Sequence, residues 1–445
     1  MKNFSHYIIL LAFLLSPFIL SAQESEAGNV IVNKNDLKIS VGARVSMDGA
    51  LYLQDYTPLK SGASISDARI RVSIVQGKWD AYYDVDFGKG ILTQKNAFVR
   101  YNFSDKNSLR LGYGPEPFSI SYNTSQSDIH FISRSTPVNA LAPGRALGIT
   151  YKHNGNKLFA EAGIYSENLF NNQHEGDQGY SATGRFLYRA VQREDLNIHV
   201  GLMGRYKKIG TGYVEGNPEI FVRNMHMGAP LETNVDRSVQ FVGTDVKWAS
   251  SEMKYGVEFL AVGQKFFAQG EFIGSHIVRD RPDQLLFENQ LGGYWSWTTL
   301  KSWLAGNPTL TDLDFYGGYV ELGYLLKGSS YHYDRNNALL GRLRDNNAIE
   351  LVGRYSMTSM NDIADGEFFW KGQNRFFPTS TGINDYPPVS TSIAGGIVQT
   401  ITLGANYDFT PNTRLMLNYT HTLIDNYYFE DTSVGMVQMR LQYRF

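Results

Sequence analysis

Val437-Gln438-Met439-Arg440-Leu441-Gln442-Tyr443-Arg444-Phe445, the last nine residues of the chain, alternate apolar and polar side chains without a break. A strand repeats every two residues, so Val437, Met439, Leu441, Tyr443 and Phe445 share one face, and Gln438, Arg440, Gln442 and Arg444 share the other. One face suits lipid and the other water. The same alternation recurs upstream: Trp79, Ala81, Tyr83, Val85 and Phe87 oppose Asp80, Tyr82, Asp84 and Asp86. Ala97, Val99, Tyr101 and Phe103 oppose Asn96, Arg100 and Asn102, while Leu415, Leu417 and Tyr419 oppose Arg414, Asn418 and Thr420. Leu37 to Val45 repeats it. Soluble β-sandwiches also alternate, so the connections must decide between the two.

Short polar connections fall at Gln76-Gly77, Ser104 to Asn107, Asn154 to Asn156, Gln192 to Asp195, Ser250 to Glu252 and Thr410 to Asn412. Longer ones lie between them, at 47–64, 115–144, 166–180, 207–236, 263–313 and 358–396, with shorter members at 88–93 and 424–433. Tight turns on one side and long loops on the other are the rhythm of an outer-membrane barrel, with the turns periplasmic. Counting from Asp36 gives about 16 strands, an all-β transmembrane antiparallel barrel with both ends on the turn side. Such a barrel is wide enough for an aqueous lumen. The connection 327–347 is long for a periplasmic turn. Aromatic residues close many strands, at Phe87, Phe103, Tyr151, Tyr407, Phe409, Tyr443 and Phe445, where they suit interfacial girdles. A C-terminal strand ending on Phe445 is the kind of signal that barrel-assembly machinery reads.

Composition agrees. The apolar run Tyr7 to Leu20, preceded by Lys2 and followed by Ser21-Ala22, reads as a signal peptide over 1–22, too short to span a bilayer as a helix. Residues 23–35 then form a short periplasmic N-terminal segment, and 36–445 the barrel. The chain has 41 basic and 43 acidic residues, and only Lys2 falls in the leader. A nearly neutral mature chain has no bulk attraction for nucleic acid. The absence of cysteine removes disulfide scaffolds, thiolate metal sites and cysteine nucleophiles. No cofactor or metal is expected. The expected partners are outer-membrane lipid and inorganic anions or small polar solutes.

Four segments resemble the phosphate-selective porin O and P family, in the divergent form common in Bacteroidetes-type bacteria. They are Asp67-Ala68-Arg69-Ile70-Arg71-Val72, then Leu109-Arg110-Leu111-Gly112 running into Pro115-Glu116-Pro117-Phe118-Ser119, then Phe131-Ile132-Ser133-Arg134-Ser135 with Pro143-Gly144-Arg145, and Tyr319-Val320-Glu321-Leu322-Gly323-Tyr324. Leu403-Gly404 and Arg440-Leu441 add to the likeness, which covers most of 36–445. Where that family has a glutamate before its third-loop arginine, this chain carries Ser133. The resemblance implies a homotrimer with an arginine-rich constriction, working as a passive porin for small hydrophilic solutes.

Strand parity assigns the pore wall. With Ala68, Ile70 and Val72 toward lipid, Arg69 and Arg71 face water, and the same parity turns Lys38, Arg44, Arg100 and Arg110 inward. Guanidinium forks hold phosphate or carboxylate bidentately, so the five arginines, with Lys38 beside them, allow an anion ladder. Inward Asp67, Asp80, Asp84 and Asp86 equally allow a mixed-charge wall with a transverse field. Arg134 and Arg145 narrow the pore if the third loop folds inward, and lie in a solvated loop if it does not. Two rival functions remain. A barrel-based enzyme would need a nucleophile and base, for which His199 and His421 qualify by type alone, with no G-x-S-x-G or H-E-x-x-H motif present. A secreted all-β binding protein could use Trp295, Trp297 and Trp303 as a sugar platform. No catalytic residue is assigned.

Overall fold

The computed structural model describes residues 29–54, 58–167, 177–214, 217–222, 224–279, 312–370, 375–378, 392–427, 429 and 432–445. The expected leader at 1–22, and Trp295, Trp297 and Trp303, lie outside the described residues.

Sixteen antiparallel strands close into one barrel. The first five are β1 (Leu37–Tyr52), β2 (Gly62–Gln76), β3 (Trp79–Asp86), β4 (Thr93–Ser104) and β5 (Asn107–Pro115). After a long connection follow β6 (Arg145–Asn154), β7 (Leu158–Ser166), β8 (Tyr180–Gln192) and β9 (Leu196–Lys208). A second long connection leads to β10 (Ala249–Gly263), β11 (Phe266–Arg279), β12 (Leu313–Lys327) and β13 (Ala348–Asp362). The wall ends with β14 (Ile393–Thr410), β15 (Thr413–Asp425) and β16 (Ser433–Arg444). Closure comes from β1 pairing with β16 through Arg44↔Arg444 to Tyr52↔Met436. Asn29–Lys34, within the expected short N-terminal segment 23–35, is a strand paired with the start of β1. It occupies the edge of β1 that the end of β16 leaves free.

The number of strands agrees with the count from sequence, but one strand is exchanged. The turn signals place a tight turn at 250–252 and a loop over 263–313. In the structure Ser250, Ser251 and Glu252 lie inside β10, and the tight turn is Gln264-Lys265 between β10 and β11. A polar cluster reads as a turn, yet here it is strand, with Glu252 on the inward face of the wall. Glu252 is buried and sits 2.9 Å from both Arg205 and Lys254. The stretch Val242–Lys247 pairs only with Asn224–Ala229, as a hairpin within the connection between β9 and β10.

Alternation holds along the wall. On β16, Val437, Met439, Leu441 and Tyr443 are exposed, and Gln438, Arg440 and Gln442 are buried. Rings at the turn side meet one another on the outer surface, as Tyr101 with Phe103 and Tyr407 with Phe409 do at centroid distances of 5.1 and 4.6 Å. Such a girdle suits the interface of the bilayer. The interior departs from an open aqueous lumen. Among the described residues three connections enter it: 116–144, the part of 209–248 around 229–241, and 328–347. Their apolar side chains, among them Phe118, Phe131, Leu231, Tyr331 and Leu340, pack against inward residues of the wall. Four arginines, Arg185, Arg189, Arg414 and Arg440, are no more than 1% exposed. Charges this deep require close partners. Arg440 meets Asp48 at 2.6 Å, Arg414 meets Asp408 at 2.8 Å, and Arg185 meets Glu258 at 2.8 Å.

Leu403, 59% exposed on the outer face of β14, tests the lipid assignment. A charge on that face costs about 2–4 kcal/mol near the midplane. Leu403→Asp is expected to lose the heat-modifiable folded band on gels, whereas Leu403→Met keeps it. Equal folding of both would place that face in water.

Candidate functional site

The connection 116–144 leaves β5 and returns at β6, carrying two short helices, α1 (Ile120–Asn123) and α2 (Thr136–Leu141). Its inward course rests on carboxylates supplied by the wall and by the second inward loop. Glu271 on β11 accepts four hydrogen bonds: from Ser119 Oγ at 2.9 Å, Ile120 N at 2.8 Å, Ser121 N at 3.2 Å and Tyr319 OH at 2.7 Å. Three of these donors belong to the loop, so one buried side chain pins the start of α1. Glu232, from the connection 209–248, accepts from Thr136 N at 3.0 Å and Ser356 Oγ at 2.7 Å, and pairs with Arg354. Glu116 pairs with Arg205 at 2.9 Å and accepts from Ser181 at 3.2 Å. The loop is therefore part of the interior and not a solvated surface loop.

Between this loop and the wall formed by β1 to β4 lies a cavity of about 530 Å³. Seven cationic side chains line it, Arg44, Arg69, Arg71, Lys95, Arg134, Arg145 and Arg237, against three carboxylates, Asp67, Asp84 and Asp86. The carboxylates are already engaged. Asp67 pairs with Arg44 and with Arg69 at 2.7 Å, Asp84 lies 3.3 Å from Arg69, and Asp86 lies 3.4 Å from Lys95. Among the described residues the other four cations have no carboxylate within ion-pair distance. Arg71 Nε is buried without a hydrogen-bond partner. Arg134 donates only to neutral acceptors, to Ser121 O at 2.8 Å and to Thr124 O and Gln126 Oε1 at 2.6 Å. Arg145 donates to Asn96 Oδ1 at 3.2 Å, and Arg237 to Asn234 Oδ1 at 3.3 Å. Burial lowers the pKa of Arg134 to about 10, which leaves it charged at neutral pH. The Tyr122 ring lies between Arg134 and Arg145, with centroid distances of 5.5 and 5.9 Å.

Of the residues singled out from sequence, Arg44, Arg69, Arg71, Arg134, Arg145, Asp67, Asp84 and Asp86 meet at this cavity. Lys38, Arg100, Arg110 and Asp80 do not line it. Lys38 sits at the turn end of β1, and Arg100 pairs with Asp80 at 2.9 Å nearer the turn side of the wall. Lys95 escaped the parity reading because it is the extra residue of a β-bulge. Asp84 pairs with Asn96 and Val85 with Gln94, so Lys95 leaves the alternation and turns to Asp86. Arg237 arrives from a connection whose course no local pattern announces. Ser133 is buried, and its carbonyl accepts from Arg354 at 3.0 Å. His199 is buried against the Tyr333 hydroxyl at 2.9 Å, and His421 belongs to the outward row of β15.

A model of the family described as phosphate-selective porin O and P matches residues 39–445. No curated protein matches the chain. Among solved structures, the outer-membrane expressed OmpT of Vibrio cholerae is 10% identical, covering 93% of this chain and 100% of that one at a TM-score of 0.50. The anion-selective porin from Comamonas acidovorans is 12% identical, covering 92% and 100% at a TM-score of 0.50. At such identities the likeness is one of fold.

The Glu271 anchor makes a prediction about the pore. An intramolecular hydrogen bond contributes about 0.5–1.5 kcal/mol, and Glu271→Ala removes three from the loop at once. The variant is expected to release the segment 116–144, raise single-channel conductance in planar bilayers and weaken ion preference, while the barrel stays heat-modifiable. Unchanged conductance in a folded variant would mean that the apolar packing of the loop suffices.

Proposed function

The chain belongs to the phosphate-selective porin O and P family and is an outer-membrane porin giving passage to small hydrophilic solutes, and from that premise we propose that its basic cavity favours small anions, phosphate among them. The observation that carries this reading is the set of four guanidinium groups around a cavity of about 530 Å³ that have, among the described residues, no carboxylate within ion-pair distance. Guanidinium forks bind phosphate or carboxylate through paired N–H donors, and several spaced sites let an ion move on without being trapped. Arg44, Arg69 and Lys95, each tied to an aspartate, make the remaining part of the wall a mixed-charge surface. Of the six cations that strand parity assigned to a ladder, Arg71 alone belongs to this group of four; Arg44 and Arg69 pair with Asp67, and Lys38, Arg100 and Arg110 do not line the cavity.

In this reading the channel is passive and non-catalytic. His199 is held by Tyr333 and Glu258 in a packed interior, away from the cavity. Assembly as a homotrimer in outer-membrane lipid, which the resemblance implies, is part of the same proposal. The deciding experiment is the reversal potential of single channels in a salt gradient, repeated with added phosphate. A potential on the cation side would overturn the anion reading.

The same measurement tests individual residues. A unit charge at about 5 Å in water contributes roughly 0.8 kcal/mol, about a fourfold change in local ion concentration. Arg71→Gln combined with Arg145→Gln is expected to lower the anion-to-cation permeability ratio by at least that factor. Arg193→Gln, in an exposed turn where Arg193 meets Asp195 at 3.1 Å, should leave it unchanged, since charges beyond a Debye length of about 8–10 Å are screened.

A further inference from the structure

An apolar ring interrupts a polar row on the lumen side of the wall. On β4, Asn96 and Arg100 pair across to Asp84 and Asp80, and between them Phe98 pairs with Tyr82. All three share the inward face. The Phe98 ring stacks on Tyr82 with centroids 5.5 Å apart and planes at 15°, and Tyr82 lines the basic cavity. Arg100 and Asp80 are the next inward pair toward the turn side.

Two arginines lean on the same ring. The guanidinium carbons of Arg100 and Arg110 lie 5.7 and 5.5 Å from the Phe98 centroid. They are direct cross-strand neighbours on β4 and β5. Like charges placed opposite one another are ordinarily destabilising, and the compensation is uneven. Arg100 Nε has the Asp80 carboxylate at 2.9 and 3.1 Å. Among the described residues Arg110 donates to neutral acceptors alone, Pro115 O at 2.9 Å and Thr150 Oγ1 at 3.0 Å. For Arg110 the face of the ring, with its negative quadrupole, is the remaining source of electrostatic stabilisation shown.

The backbone is shaped for this arrangement. Directly opposite Phe98 stands Gly112 with φ +141°, where a Cβ would meet Phe98 Cα at 2.5 Å. Only glycine permits β5 to come so close to the strand that carries the ring.

We propose that Phe98 is a positioning residue, whose ring holds Arg100 and Arg110 together as a second anion station on the periplasmic side of the cavity. The proposal rests on the anion reading above and adds a residue that carries no charge itself. An anion leaving the upper cavity passes Tyr82 and meets two guanidinium groups, only one of them neutralised. A ring that merely filled space would be replaceable by an aliphatic side chain.

The test uses the full-length porin in planar bilayers with Phe98→Tyr, Phe98→Leu and Phe98→Met, each first checked for heat-modifiable folding. Tyr keeps the ring, and the two aliphatic residues keep much of the volume. Loss of the ring face is expected to shift the permeability ratio toward cations by about two- to fivefold, as the strength of such contacts implies. Phe98→Tyr is expected to keep the parent ratio. Whichever aliphatic variant folds decides the matter: an unchanged ratio overturns the positioning role, and so does an equal shift in Phe98→Tyr. Failure of the anion reading is separately visible, because it appears in the parent's own reversal potential, while the shift between parent and variant tests Phe98 whatever the parent prefers.

Discussion

In hydrocarbon no water is present to pair a free N–H or C=O, and that single constraint governs this molecule. Sixteen strands satisfy it by closing on themselves, with the β1–β16 seam as the last pairing. Once closed, every strand must send alternate side chains to lipid and the others to the lumen. Met439 and Leu441 therefore face outward at the seam, and Arg440 between them is driven inside, where Asp48 meets it at 2.6 Å. The ion pair follows from closure and then reinforces it, because an unpaired arginine at that depth would be costly.

Crowding of polar side chains inside the barrel sets the next level of organisation. The carboxylates divide into two uses. Glu116, Glu232 and Glu271 hold the inward connections or pair with arginines of the far wall. Asp67, Asp84 and Asp86 stay on the near wall, too few for the cations gathered there. A chain of nearly balanced composition thereby acquires a locally basic cavity. Its field arises from where the acids are spent and not from the net charge of the protein. The insert 328–347 contributes to the same partition: Arg185 and Arg189, which would otherwise add to the lumen charge, are consumed by its carbonyls at Ala338 and Arg335, at 2.8 and 2.7 Å, and by Glu258.

Much of this was legible in the residues themselves. Alternation identified the class of fold, the parity of Arg44, Arg69 and Arg71, and the aromatic girdle, because a period of two is a local property of an extended backbone. The total of sixteen strands was also legible, though Ser250-Ser251-Glu252 misled the placement of one of them. Polar residues mark a turn and a lumen-facing wall equally well, and only the ion pairs of Glu252 with Arg205 and Lys254 tell the two apart.

The sequence by itself determined that the chain is an outer-membrane barrel with a charged inner wall. Tertiary structure alone decided that the third loop enters the lumen, that Lys95 leaves the alternation through a bulge, and that Arg237 joins the cavity. The reason is one of range. Alternation is written between neighbours along the chain, whereas Glu271 meets Ile120 across 151 positions of sequence. No local pattern records which distant carboxylate will neutralise a given arginine. The cations left without one, and hence the character of the pore, are settled only when the barrel has closed and its loops have folded in.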